Sequence, residues 1–163
     1  MTFEQLWNIL EREIPSKINQ HNGLTFFIKN RAKFEGWLKV ELCDILSKHT
    51  NDITPEKDRI DVVFNEWALE LKTSNTNYRY EDIQNKHKPI TKNVANIIKD
   101  ITDLRNNQKY SDKAVIFIIF PLSKTTKDWQ QHLKKIENEL KELKEKEFCF
   151  KNKTNAILYC GLI

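Results

Sequence analysis

"RIDVVFNEWALELKTS", residues 59–74, sets two apolar runs on either side of two polar residues. The runs predict β-strands over about 59–64 and 67–73. In the second, Trp67, Leu69 and Leu71 alternate with Ala68, Glu70 and Lys72. Asn65 and Glu66 have the length of a tight hairpin loop. Pairing Phe64 with Trp67 puts Val63 opposite Ala68, Val62 opposite Leu69, and Asp61 opposite Glu70. Two carboxylates across a strand pair repel by on the order of 3 kcal/mol, at roughly 5 Å and an effective dielectric of about 20. Lys72 lies to one side and offsets only part of this. Two arrangements are open. Either the charges sit on a solvated face, with Lys72 and Arg59 as ion-pair partners, or the carboxylates hold a hard divalent cation such as Mg2+ or Mn2+. Val63, Ala68, Leu69 and Leu71 argue for a half-buried hairpin and favour the cation.

Outward from the hairpin, the pattern alternates between helical and extended. Phe3, Leu6, Trp7, Leu10 and Ile14 predict a helix over 2–14 that Pro15 ends. A second helix is predicted over 31–48, and "HTNDITPEKD" reads as a polar turn. Residues 74–89 read as a surface loop. Thr91 caps a helix over 92–106, with Val94, Ile97, Ile98, Ile101 and Leu104 on its core face. "KAVIFIIF" predicts a central strand covered on both sides. A long charged helix over 127–147 and a last strand, "NAILYCGLI", complete the chain. Trp129, Leu133, Ile136, Leu140 and Leu143 recur in that helix as in a coiled-coil seam, serving either packing on the sheet or a homodimer contact. The expected architecture is α/β: a mixed sheet opened by a hairpin and flanked by helices.

The 163 residues are expected to form one domain, with a helical extension over 1–30, a core over 31–120, and a C-terminal helix and strand over 121–163. No apolar stretch has the length of a membrane span, and the N-terminus lacks a signal-peptide pattern. The three cysteines, Cys43, Cys149 and Cys160, lack metal-ligand spacing and read as reduced core residues of a cytoplasmic protein. A net charge of +4 permits a phosphate-backbone partner without requiring one. Richness in Lys, Asn and Ile points to an AT-rich genome, bacterial or carried by a mobile element.

Helix 31–48 adds a further carboxylate. Glu41 is the charged member of its stripe of Phe34, Trp37, Leu38, Leu42, Ile45 and Leu46, and an acid there needs a partner. Glu41 either joins the hairpin carboxylates or lies at the stripe's edge. Glu35, about 120° around the helix, is the second choice. After the hairpin, Tyr78, Arg79, Lys86, His87, Lys88 and Lys92 interleave aromatic and basic side chains. Such a run can grip phosphates and stack on bases, or can be an ordinary solvated loop.

Asp61 in "RIDVVF", Glu70 and Lys72 in "LELK", and Glu41 in "VELCDIL" together resemble the PD-(D/E)xK nuclease superfamily. The resemblance spans residues 31–120 in element order, with Ile60 where that pattern has proline. It implies a restriction-endonuclease-like fold and Mg2+-dependent hydrolysis of phosphodiester bonds, most readily as a DNA endonuclease of a bacterial defence or mobile-element system. Asp61, Glu70, the backbone carbonyl of Leu71, and Glu41 would be the metal ligands. Lys72 would orient the attacking water and stabilise charge on the phosphoryl oxygens. The alternatives are a catalytically silent module of that fold that binds nucleic acid or protein, and an RNA-cutting toxin.

Overall fold

The hairpin forms in the expected register. In a computed structural model that describes residues 1–80, 83–84, 90–123 and 126–163, strands β2 (Ile60–Phe64) and β3 (Trp67–Asn75) are antiparallel. Phe64 pairs with Trp67, Val63 with Ala68, and Val62 with Leu69. Asn65 takes the turn with φ of 47°, a left-handed conformation that asparagine tolerates. The other described elements are helices α1 (Phe3–Gln20), α2 (Asn22–Lys29), α3 (Glu35–Ser47), α4 (Ile90–Asn106) and α5 (Lys127–Glu137). They are joined by strands β1 (Ile53–Lys57), β4 (Asp112–Phe120), β5 (Glu142–Cys149) and β6 (Asn155–Leu162).

The six strands lie in the order β1-β2-β3-β4-β6-β5, all antiparallel to their neighbours except the β3–β4 pair. Strands β3 and β4 run parallel because α4 carries the chain back between them, as a parallel pair requires. Alternation sends side chains to two cores. Val62, Leu69, Leu71 and Ile116 pack with α1, α2 and α3, whereas Val63, Ala68, Val115 and Phe117 pack with α4 and α5. Strand β4 is buried from Ala114 to Phe120, as a central strand covered on both faces should be. The fold is mixed α/β.

Three local readings are corrected. Helix α1 continues through Pro15 to Gln20, because buried Ile18 extends the apolar stripe beyond Ile14. The polar stretch before the hairpin contains β1, an edge strand whose exposed residues hide its extended character. Pro55 is tolerated there because an edge residue can forgo a ladder bond. The long helix 127–147 is two elements. Helix α5 stops at Glu137, the chain turns through Asn138–Lys141, and β5 covers the outer edge of β6. Leu143 then lies opposite Gly161 on the sheet, so the three-heptad seam and the dimer contact drawn from it have no helix to carry them. The cysteines also differ from one another: Cys160 is buried, Cys43 partly buried, and Cys149 exposed on β5.

Candidate functional site

Pairing of β2 with β3 proceeds as far as Val62 and Leu69, and at the next position side chains replace the backbone. The Leu71 amide donates to Asp61 Oδ2 at 2.8 Å, so the aspartate takes the place of a strand carbonyl. Leu71 thus enters the site through its N–H, whereas its carbonyl was the expected metal ligand. Asp61 and Glu70 are hydrogen-bonded to each other, which requires one of these carboxyls to keep its proton. That proton sits on Glu70. Burial pushes its carboxyl up to about 9, and the hydrogen bond and charge of Asp61, with Asp100 nearby, add to the effect. Burial opposes ionisation of Asp61 as well. There it is outweighed by hydrogen bonds from Lys39, the Leu71 amide and Glu70, which hold Asp61 below its ordinary range.

Asp61 has a cation, though not the one the sequence suggested, and Lys72 serves carboxylates other than Glu70. Lys39 on α3 reaches Asp61 Oδ1 at 2.6 Å and also pairs with Glu56. Lys72 turns to Asp100 of α4, with Nζ 2.8 Å from Oδ2, and lies 3.7 Å from Glu35 Oε1. Burial works against the charge of both lysines, yet their carboxylate partners raise both above the ordinary value. Glu35 is fixed in turn. Its Oε2 accepts the Thr73 amide at 3.0 Å, while the Phe34 amide donates to Thr73 Oγ1 at 3.0 Å. These two bonds tie the start of α3 to the middle of β3.

The structure therefore brings together Asp61, Glu70, Lys72, Lys39, Glu35 and Asp100, but not Glu41. Glu41 faces α1, with Lys17 Nζ at 3.0 Å and His21 Nε2 at 3.4 Å. It was legible as a half-buried acid; which neighbour covers its flank of α3 was not. Asp100 could have been found, since it follows Asn93 and Ile97 and precedes Leu104 at helical spacing on α4. Lys39 lies on the polar side of α3 and gives no such signal. Among the described residues no group of three or more His, Cys, Asp or Glu is arranged to hold a metal ion. Glu70 opens onto a polar cleft of about 500 Å³, with Arg59, Lys99 and Asp100 also on its walls.

At the far end of β3, the strand exit is held by buried polar groups. The Arg31 guanidinium donates to the carbonyls of Thr76, Tyr78 and Gln84. Asn75 Nδ2 donates to Arg31 O and Asn93 Nδ2 to Asn75 O, both at 2.8 Å. Asn75 is thus structural, while exposed Asn77 joins Tyr78, Arg79, Gln131 and His132 around a second cleft of about 510 Å³. Tyr78 is half-buried and Arg79 exposed, and Lys92 is exposed in the first turn of α4. Lys86, His87 and Lys88 lie outside the described residues. Among the described residues no helix is long and apolar enough to cross a membrane.

A family model described as a fungal specific transcription factor domain matches residues 40–160, from the middle of α3 to β6. No curated protein and no solved structure gives a match. The family match overturns the resemblance to PD-(D/E)xK nucleases, and with it the reading as a metal-dependent hydrolase of a bacterial defence or mobile-element system. Of the four residues that suggested that resemblance, Asp61, Glu70 and Lys72 lie together and Glu41 lies apart, and so short a pattern is a weaker guide to kinship than a match over most of the chain.

Proposed function

The chain belongs to the family of fungal specific transcription factor domains, and from that premise we propose that it is a non-hydrolytic DNA-binding module holding Mg2+ or Mn2+ at Asp61 and Glu70. The observation that carries this reading is the family match over residues 40–160, and Asp61 and Glu70 add a pair of hydrogen-bonded carboxyls beside a polar cleft. A pair that retains a proton beside a polar cleft can exchange it for a hard cation, which neutralises both oxygens at once. Mg2+ is commonly held by one or two carboxylates, with water and phosphate oxygens completing its shell. Two carboxylates, with Asp100 and Glu35 committed to Lys72, suit an ion whose coordination a DNA phosphate completes. The ion would supply positive charge to that phosphate. Arg59 and Lys99 line the same cleft, Lys99 paired with Asp103, and with Asp58, Glu70 and Asp100 also on its walls a bound cation is needed before a phosphate can enter. Arg79 and Lys92 would contact phosphates farther along the backbone, and Tyr78 offers an aromatic face to a base. A nuclear location accompanies this reading, in place of the cytoplasmic one.

Fluorescence anisotropy with labelled duplex DNA, single-stranded DNA and RNA, in Mg2+, Mn2+ or EDTA, tests it. The expected result is duplex binding that tightens with either ion and weakens with salt by about 0.9 in log–log slope per phosphate contact. Asp61→Asn should lose the response to the ion while keeping the binding seen in EDTA. Failure to bind in every condition, or ion-dependent strand cleavage of the probe on a gel, overturns the proposal.

A further inference from the structure

The cleft beyond the exit of β3, of about 510 Å³, has the volume of a small-molecule site. The chain leaving β3 supplies Asn77, Tyr78 and Arg79 to its wall. Helix α5 supplies Asp128, Gln131 and His132, which share one face because they stand at i, i+3 and i+4. Ile90, at the start of α4, adds an apolar patch. Both walls are held from behind. The Arg31 guanidinium fixes the Tyr78 carbonyl, and buried Trp129 anchors α5 by donating to the Tyr159 hydroxyl at 2.8 Å.

Much of the hydrogen-bonding capacity around the cleft is unused. The side chains of Asn77, Arg79 and Gln131 make no hydrogen bond or ion pair among the described residues. The His132 ring lies 6.4 Å from that of Trp129, and its buried Nδ1 has no partner. Tyr78 is half-buried, and burial together with the charge of Asp128 raises its hydroxyl above the ordinary value, so Asp128 lies within electrostatic reach of Tyr78.

These groups select a ligand by their chemistry. A plain anion would suit Arg79 and be repelled by Asp128, and a plain cation would do the reverse. An amino acid matches both charges but leaves the tyrosine face and the amides without a role. A nucleotide uses all of them, because its phosphate is an anion and its base offers a flat face and N–H donors. Guanine sets two N–H groups side by side, at N1 and N2, as a carboxylate accepts them bidentately. Adenine and cytosine place an acceptor beside the amino group, and thymine has one N–H between two carbonyls.

We propose that this cleft binds a guanine nucleotide, either free or as an unpaired base of a nucleic-acid strand. Tyr78 stacks on the base, Asp128 accepts from N1–H and N2–H, the Gln131 amide donates to O6, and Arg79 takes the phosphate. Asn77 and His132 are left for the sugar hydroxyls. The proposal shares Tyr78 and Arg79 with the DNA-binding reading but does not rest on it, because a free nucleotide meets the same side chains.

Isothermal titration calorimetry of the full chain in EDTA, with GMP, AMP, CMP, guanosine and phenylalanine, tests it. The expected result is saturable binding of GMP, tighter than AMP or CMP by about tenfold or more, and none of phenylalanine. Arg79→Ala should lower GMP affinity to that of guanosine and leave guanosine unchanged. Asp128→Asn should reverse the preference, since its amide offers one acceptor and one donor, the complement of adenine. Both side chains are exposed, so circular dichroism should show the variants folded. An oligothymidine carrying one guanine separates the two sources: tighter binding than GMP assigns the base to a strand, and equal or weaker binding assigns a free nucleotide. Equal binding of the three nucleotides, binding of none, binding of phenylalanine, or a preference for GMP kept in Asp128→Asn would each overturn the proposal. Duplex DNA that fails to bind while GMP binds would remove the DNA-binding reading and leave this one in place.

Discussion

Glu70 couples the stability of the protein to pH. Its carboxyl is held up to about 9 in the fold, against a reference of 4.5. Between those values the folded chain keeps a proton that the unfolded chain releases, so stability is full below about pH 4.5 and declines as pH rises towards 9. Asp61 is shifted the other way, and its contribution is lost only as pH falls below 3.8, outside that window. Glu70→Gln keeps a donor for Asp61 and removes the titration. Urea unfolding at pH 5, 7 and 9 should show the parent weakening with pH more steeply than this variant; parallel profiles would place the proton elsewhere. Asp61→Asn should instead destabilise by about 1–3 kcal/mol at pH 7, since Lys39 loses the more enclosed of its two carboxylate partners. The facing of Asp61 and Glu70 was legible because a two-residue turn fixes register and register fixes which side chains meet. The partners from other elements were not. That Lys72 serves Asp100 and that Lys39 serves Asp61 depends on how α3 and α4 lie over the sheet, which local periodicity does not record.

Elements with a long buried stripe were readable, whereas short α2, which buries only Leu24 and Ile28, and the strands at the edges of the sheet were not. Strand β4 declares itself by its unbroken apolar run, whereas β1 and β5 are polar and exposed and exist because a neighbour's edge needs pairing. For β5 this has a specific consequence at Gly161. A Cβ there would come within 2.5 Å of Leu140 Cδ1, in the turn that redirects the chain from α5 to β5. Gly161→Ala should cost about 1–3 kcal/mol by overpacking, and adding Leu140→Ala should recover part of that loss in chemical denaturation. No recovery would mean that the turn does not pack as described. The α3–β3 junction can be tested in the same way. Thr73→Val conserves shape but leaves the buried Phe34 amide without an acceptor, and should cost about 1–3 kcal/mol.

For the molecule as a whole, the alternating faces of one sheet feed two separate cores, and the charged cluster lies where β2 parts from β3 between α3 and α4. An ion held there binds the folded chain alone, so Mg2+ at a hundredfold excess over Kd should raise global stability by about 2.7 kcal/mol. Thermal melts in Mg2+ and in EDTA would measure this, and Glu70→Gln should respond far less than the parent; equal gains in both would place the ion elsewhere. Arg31 imposes a constraint of a different kind. Its guanidinium joins carbonyls 45, 47 and 53 residues farther along the chain, so it closes long loops without a covalent bond. In polymer terms it acts as a cross-link that vanishes on unfolding. The loop-closure entropy it opposes grows only with the logarithm of loop length. The Thr76 amide and hydroxyl also bond the Phe120 and Pro121 carbonyls, each at 2.8 Å, so it is the segment beyond Thr76, at Tyr78, that this one side chain rather than a ladder fastens.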